Sequence, residues 1–526
     1  MKSTQSILRA TTMVTAIMLV VKGLGFVEKL LLAYFFVTGI EVDAYLVAYS
    51  LPFGAFVVLR EVVRAALVPT LMRTWRTAER DGWRLFSIVG TVMLILLGIA
   101  TVVGVVVAPG LVSLMAPGFS GEQRALAVRL TRLVMPALLL LGLSTLTMAT
   151  LHAQKRFNLP ALGEASFRAG PLLLLVTVGG IQATAVGVVL GALGKLALET
   201  FGLRRYLRQI RLSLNLSFQP VRIVGRLAAP LLFGLFFSLF IGPLVENAFA
   251  TKVGVGGVSA LAYARKIVET LSAILPYTLG LVLLPFSAEM AAGRDEQALA
   301  QTLTRAIRGL TIIFLPVTVG LLLLREPFVQ LLFERGAFTT ASTQLTAGAL
   351  LYYSLALLPF SLEVIVVQFH FARQDTLTPV IVDVVTFALN VALIPLLMPS
   401  IGLGGIALAA ATAKAVKVLA LLLLFERKVP AYRLSRLGPF AGQMGLASLL
   451  TAVALLGLSS LAAVQEIDGL VALAAYLAGA GAVAAGVFAA TTYLLKVDEI
   501  RDLSQRGNAL WNRFAKGSRR SQSRRK

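Results

Sequence analysis

The chain has 526 residues, of which 58% are hydrophobic and 14% charged, and its formal net charge is +23. The apolar residues come in runs of about twenty, the length that crosses a hydrocarbon core of ~30 Å, and the charges gather between the runs. This excludes an ordinary soluble enzyme, in which usually under half the residues are apolar, and a β-barrel, whose strands are short and alternating.

The pattern predicts an all-α integral membrane protein with fourteen spans, near 9–36, 44–71, 86–108, 126–151, 159–180, 183–203, 226–250, 258–288, 309–325, 343–371, 376–397, 402–425, 440–463 and 468–495. The first run is too long for a cleaved signal peptide and continues through Lys22, Glu28 and Lys29. Lys22 and Lys29, seven residues apart, share one helical face, and Gly23 and Gly25 between them let the helix bend. The second span opens on Asp43 and carries Arg60, Glu61 and Arg64, with the two arginines stacked four residues apart. The seventh carries Glu246 and Asn247 near its outer end. The eighth carries Arg265, Lys266 and Glu269. The middle spans of each half are read as nearly free of charge.

The loops alternate in charge. Arg73, Arg76, Arg80 and Arg84 follow the second span, Lys155 and Arg156 the fourth, and Arg204, Arg205, Arg208, Arg211 and Arg222 the sixth. Later even-numbered loops hold Arg294 and Arg305, then Arg373, then Arg427, Lys428, Arg433 and Arg436. Odd-numbered loops are poor in Lys and Arg, with Glu41 and Asp43 after the first span and Glu466 and Asp468 after the thirteenth. Positive charge stays on the cytoplasmic side, so both termini are expected there. Orientation also accounts for the net charge without a nucleic-acid partner. The basic tail, 497–526, reads as a topogenic segment beside anionic lipid.

An internal repeat runs through the chain. Phe119 and Phe338, Ala153 and Ala372, and Pro160 and Pro379 are each 219 positions apart in matching loop contexts. Leu67-Val68-Pro69 similarly echoes Leu283-Leu284-Pro285. An offset of six spans preserves orientation, so the expected architecture is two parallel-repeat six-helix lobes, 1–210 and 211–430. Two extra helices (431–496) and the tail follow. Two such bundles facing one cleft suit alternating access.

Each ionisable side chain at the bilayer centre costs about 2.5–3.5 kcal/mol on the insertion scale, so a set of them marks a protein-lined or water-filled site. The charges sit in the first, second, seventh and eighth spans, the equivalent first pairs of the two halves. Cations outnumber anions: Lys22, Lys29, Arg60, Arg64, Arg265 and Lys266 stand against Glu28, Glu61 and Glu269, with Asp43 nearer the outer end. One reading is internal salt bridges that lock the bundle. The other is a cavity for an anionic ligand, for which a diphosphate is well suited. His152 and His370 end equivalent spans and read as repeat relics or interfacial side chains. With no Cys and only these two His, no metal site is expected. No Walker, paired-carboxylate or Ser/His/Asp pattern is present, so a transporter without a cofactor is expected rather than an enzyme.

Several segments carry a family resemblance: Gly23-Leu-Gly-Phe-Val27, Val42-Asp-Ala-Tyr45 with Leu51-Pro52, and Ala262-Tyr-Ala264 followed by Lys266 and Glu269. Leu332-Phe-Glu-Arg-Gly-Ala-Phe338 and Phe371-Ala-Arg-Gln-Asp-Thr-Leu-Thr-Pro379 are the more specific ones. The chain resembles the MurJ/MviN family of lipid II flippases, within the superfamily of multidrug, oligosaccharidyl-lipid and polysaccharide exporters. The resemblance implies fourteen spans in V-shaped lobes, a last helix pair flanking a groove for a polyprenyl tail, and an inner-membrane location. It also implies transport of an undecaprenyl-diphosphate-linked peptidoglycan precursor to the periplasm, with membrane lipid and cell-wall synthesis proteins as partners. The family's cavity cations map onto Lys22, Glu28 and Lys266, and its acidic residue at the start of the second span onto Asp43. At Glu28 the sign is reversed, and Lys29 carries the cation one position on, about 100° around the helix. The competing expectations are export of another lipid-linked oligosaccharide and a transport-inactive scaffold of the same fold. A cationic-drug antiporter needs a carboxylate-rich cavity, which these residues do not supply.

Overall fold

The computed structural model describes residues 2–154, 156–461 and 469–500, and among these every regular element is a helix. Lys155, the loop holding Glu466 and Asp468, and the basic tail from Arg501 lie outside the described residues. Each expected span falls on a helix or a short run of helices. The first is one helix, Lys2–Phe36. The seventh combines Gln219–Leu235, a wider π-helical turn over Phe236–Ile241, and Gly242–Ala250. The eighth is Gly257–Ala292, continuous through its charges. Among the described residues, ten helices are long and apolar enough to cross a bilayer, and eleven when the bent pair Thr340–Ser354 and Leu357–Ala372 counts as one.

Local chemistry sets the breaks. The fifth and sixth spans, Asn158–Thr177 and Ile181–Gly202, separate where Gly179 and Gly180 take φ of +76° and +80°, a region open to glycine at little cost. The second span passes through a π-helical turn over Val63–Leu67 that carries Arg64. The repeat reappears in the helix bounds: Gly121 and Thr340 start helices, Ala153 and Ala372 end the helices that follow those, and Asn158 and Leu377 start the next, each pair 219 positions apart.

By packing, the described residues form two compact units. The first comprises those up to Thr270 together with Leu332–Ala349 and Val380–Ala413; the second comprises Leu271–Leu331, Leu350–Pro379 and those from Lys414 onward. In the first unit, the fifth and sixth spans meet at glycines. A Cβ on Gly191 would lie 2.6 Å from the Phe167 carbonyl oxygen, and one on Gly187 2.6 Å from that of Gly170. Small residues let membrane helices approach closely and pack by dispersion. Gly191→Leu is therefore expected to cost roughly 1–3 kcal/mol or more by overpacking. A drop in detergent melting temperature and membrane level checks this; unchanged values would mean the two helices separate freely.

The Leu332–Phe338 segment docks on the end of the first helix. The Ala337 amide donates to the Tyr34 carbonyl at 2.8 Å, and Gly336, at φ +61°, packs where a Cβ would meet that same oxygen. Phe333 stacks on Tyr263 (5.2 Å between centroids) and reaches Phe26 (6.4 Å). In the second unit, Asp375 of the Phe371–Pro379 segment accepts from the Thr378 amide at the start of the eleventh span and from Lys428, and lies 2.9 Å from His370 Nδ1. Burial works to raise its pKa. The hydrogen bonds from Lys428, His370 and Thr378 outweigh it and hold the carboxyl well below the usual range. His370 is buried, with Nε2 3.2 Å from the Leu421 carbonyl, so it clamps this turn. His152 packs against Phe157.

Exposed side chains such as Leu96, Val102, Val106, Leu173 and Val176 give the helices an apolar outer surface. Such a surface in water would drive aggregation; in a bilayer it meets lipid.

Candidate functional site

The predicted site residues fall into three groups and one separate position, all within the first unit. The first group surrounds Glu28, on the first helix. Its carboxylate is almost fully buried and sits 3.7 Å from Arg168 Nη1 and 4.0 Å from Lys29 Nζ, with the Tyr45 hydroxyl at 3.5 Å. Arg168 Nη1 also lies 3.4 Å from the Tyr49 hydroxyl, and its guanidinium packs over Phe53 and Phe167. Lys266 reaches this group from the eighth span. Its Nζ is 3.5 Å from where a Cβ on Gly25 would stand, and the Arg168 head is 3.9 Å from the same point. Lys22, Lys29, Arg168 and Glu269 form the electrostatic surroundings of Lys266. Among the described residues, no carboxylate lies within 4.0 Å of the Lys22 or Lys266 ammonium.

The second group is Arg265, Glu269 and Glu246. Arg265 Nε bonds Glu269 at 2.8 Å across one helical turn, and its Nη1 bonds Glu246 at 2.7 Å. The Asn390 amide donates to Glu246 at 3.3 Å. The pairing that the four-residue spacing suggests is thus formed, and it draws in a second carboxylate from the seventh span.

The third group is Arg60, Glu61 and Arg64. Arg60 lies 3.4 Å and Arg64 2.5 Å from the Glu61 carboxylate, and the Arg64 side chain is 68% exposed. These three satisfy one another locally, as the salt-bridge reading expects. Arg60 also packs over Phe56 at 5.6 Å.

Asp43 occupies a different kind of position. It is fully buried at the start of the second span, and both oxygens accept backbone amides: Oδ2 from Gly256 at 2.7 Å and Oδ1 from Ser259 at 2.8 Å. A carboxylate 213 positions away in sequence thereby caps the eighth helix and complements the positive end of its dipole. Asp43→Ala removes both acceptors, at about 1–3 kcal/mol for each buried amide left unsatisfied. We expect it to melt well below the parent in detergent, with Asp43→Asn in between because one oxygen remains. Equal melting of all three proteins would remove Asp43 from this contact.

The reading of the middle spans as nearly free of charge is corrected. The fifth and sixth carry Glu164, Arg168, Lys195 and Glu199. Lys195 is fully buried, 2.9 Å from both Glu164 and Glu199, and the Thr147 hydroxyl donates to Glu199 at 2.8 Å. In the second unit, Lys414 and Lys417 hold Glu363 at 2.7 and 2.6 Å. These charges are tolerated because each meets a partner on a neighbouring helix or the next turn. The signal was present in the sequence: Glu164 and Arg168, like Lys195 and Glu199, sit four residues apart inside apolar runs.

The second unit also contains an apolar cavity of about 470 Å³, lined among others by Leu271, Pro316, Leu321, Phe328, Leu477 and Phe488. Its walls come mostly from the ninth and last spans. Hydrocarbon is the chemistry such a lining accepts.

Comparison with known proteins places this geometry in context. A family model described as lipid II flippase MurJ matches residues 32–474. A probable lipid II flippase MurJ of Rhizobium meliloti is 28% identical over 421 residues, 76% of this chain and 76% of that protein. In fold, the chain is similar to a lipid II flippase MurJ solved in an inward closed conformation, with a TM-score of 0.76 at 20% identity over 93% of this chain and 99% of that one. A multidrug resistance MATE family transporter is similar in two conformations. The inward-facing one has a TM-score of 0.65 at 15% identity, covering 78% of this chain and 94% of that one. The outward-facing one has 0.57 at 14%, covering 80% and 95%.

Proposed function

This chain belongs to the MurJ family of lipid II flippases, and from that membership we propose that it moves lipid II from the cytoplasmic to the periplasmic leaflet by alternating access, for cell-wall synthesis. The observation that carries the proposal at the residue level is the convergence of Lys266 and Arg168 beside Gly25, with no carboxylate within 4.0 Å of Lys266 among the described residues. Two cations brought together in a low-dielectric setting repel each other, and an anion between them offsets that repulsion. The diphosphate of lipid II supplies that charge. Lys22 and Lys29 extend the positive field along the first helix. The apolar cavity beside the last span takes part of the polyprenyl chain.

Alternating access on this fold requires contacts that hold one end shut and then release. Asp43 fits that role at the outer end, since its two hydrogen bonds tie the second span to the eighth. Arg265 and Glu269 are on the same eighth span, and Arg265 also bonds Glu246 of the seventh. Both termini lie in the cytoplasm, in keeping with the basic even-numbered loops, and the chain works beside cell-wall synthesis proteins.

Complementation is the test. Cells depleted of their own lipid II flippase and expressing this chain should grow and should expose lipid II headgroup on the outer leaflet. A chain that reaches the membrane at normal levels and restores neither would overturn the proposal.

A further inference from the structure

We propose that Arg168, on the fifth span, is a ligand of the substrate's diphosphate, oriented by Glu28 and Tyr49 and acting as a pair with Lys266. The inference rests on the flippase reading given above and names a residue of its binding site.

Four observations lead to it. First, Arg168 lies midway along an apolar span, where an arginine is costly, and yet its side chain is 20% exposed. The side chain is therefore not fully sealed in the bundle. Second, the guanidinium is held in a fixed orientation, over Phe53 at 5.2 Å and Phe167 at 5.5 Å. Stacking fixes the plane of the fork without using its N–H groups.

Third, the polar contacts run through Nη1 and are long: 3.4 Å to Tyr49 and 3.7 Å to Glu28. A guanidinium carries five N–H donors, and charge-assisted bonds to carboxylate close to about 2.7–2.9 Å. Glu28 thus sits at ion-pair distance without consuming the fork. The guanidinium lies beside Gly25, with Nε and Cζ both 3.9 Å from where a Cβ would stand. Fourth, Lys266 Nζ comes within 3.5 Å of that same point from another helix. Two cationic heads flank a stretch of first-helix backbone that has no side chain at Gly25. The gap accepts phosphoryl oxygens, and a diphosphate offers one phosphoryl group to each cation.

The charge at Glu28 then has a role. A carboxylate at that position draws Arg168 toward the first helix. The cationic partner of Lys266 is supplied by the fifth span instead of by residue 28 itself.

The alternative is that Arg168 and Glu28 form a locking salt bridge and touch no ligand. The two readings differ for the neutralised pair. Binding of undecaprenyl diphosphate is measured on the purified full-length protein in nanodiscs, with uncharged undecaprenol as the control and melting temperature recorded for each variant. Arg168→Gln is expected to weaken binding of the diphosphate at least tenfold and leave undecaprenol unchanged. Glu28→Gln is expected to weaken it less. The double variant Glu28→Gln/Arg168→Gln, which leaves neither member of that pair charged even if the single variant folds poorly, should bind as weakly as Arg168→Gln alone. Wild-type affinity in the double variant would overturn the proposal and leave the salt bridge as the role of the pair. The flippase reading is tested separately. If the parent chain fails to complement while Arg168 variants still lose diphosphate binding, the flippase reading falls and the assignment of Arg168 stands. If the parent complements and Arg168→Gln binds normally, only the assignment falls.

Discussion

Lys266→Ala is expected to abolish lipid II flipping while leaving the protein folded and at normal membrane levels. The ammonium has no carboxylate within 4.0 Å among the described residues, so its removal strands no buried anion. Glu269 keeps its bond to Arg265 at 2.8 Å. What is lost is a charge-assisted contact to phosphate, worth about 1.5–3 kcal/mol, which corresponds to roughly a tenfold to hundredfold loss of affinity. Lys266→Arg keeps the charge and adds a fork, so transport should survive. Headgroup accessibility on the outer leaflet, in cells relying on each variant at matched expression, decides the matter. Normal flipping by the alanine variant would remove Lys266 from the site. Poor membrane levels in both variants would make its role structural.

Lys195→Met should have the opposite signature. Lys195 is wholly buried and is held by Glu164 and Glu199, each at 2.9 Å. Glu199 also accepts from Thr147. Replacing the ammonium with an apolar group of similar length leaves two carboxylates in a low-dielectric interior without their cation. Breaking a buried ion pair from one side costs about 3–5 kcal/mol, which is a large share of the stability of a typical domain. The variant should therefore accumulate poorly and melt far below the parent in detergent. Adding Glu164→Gln and Glu199→Gln to Lys195→Met removes the stranded charges, and part of the stability should return. A single variant with the parent's melting temperature would show that the network contributes nothing to the fold.

The two lysines look alike in their local sequence, except that Arg265 precedes Lys266. Each lies in an apolar run, and each has a glutamate three or four residues on: Glu269 after Lys266 and Glu199 after Lys195. In the structure, Lys195 bonds its glutamate and a second one from the fifth span, whereas the glutamate after Lys266 bonds Arg265. Sequence spacing names the possible partners on one helix. It does not name those that arrive from another helix, and these reverse the expected effect of substitution.

The sequence by itself determined the class of protein, the positions of the spans, the repeat and the presence of an intramembrane cationic excess. Insertion into a bilayer sums transfer free energies over about twenty consecutive residues, and the bias of basic loops acts within a few residues of each span. Both are local along the chain and can be read from it. Only the tertiary structure decided which charges neutralise one another. Arg168 meets Glu28 across 140 positions, Asp43 reaches the amides of Gly256 and Ser259 across more than 200, and Glu246 takes Arg265 and Asn390 together. Ion pairing and hydrogen bonding fall off within a few ångströms. Partners are therefore fixed by how the helices pack, as at the glycine contacts that bring the fifth and sixth spans together. That packing depends on side-chain shape along whole helices, and no spacing rule within one helix contains it.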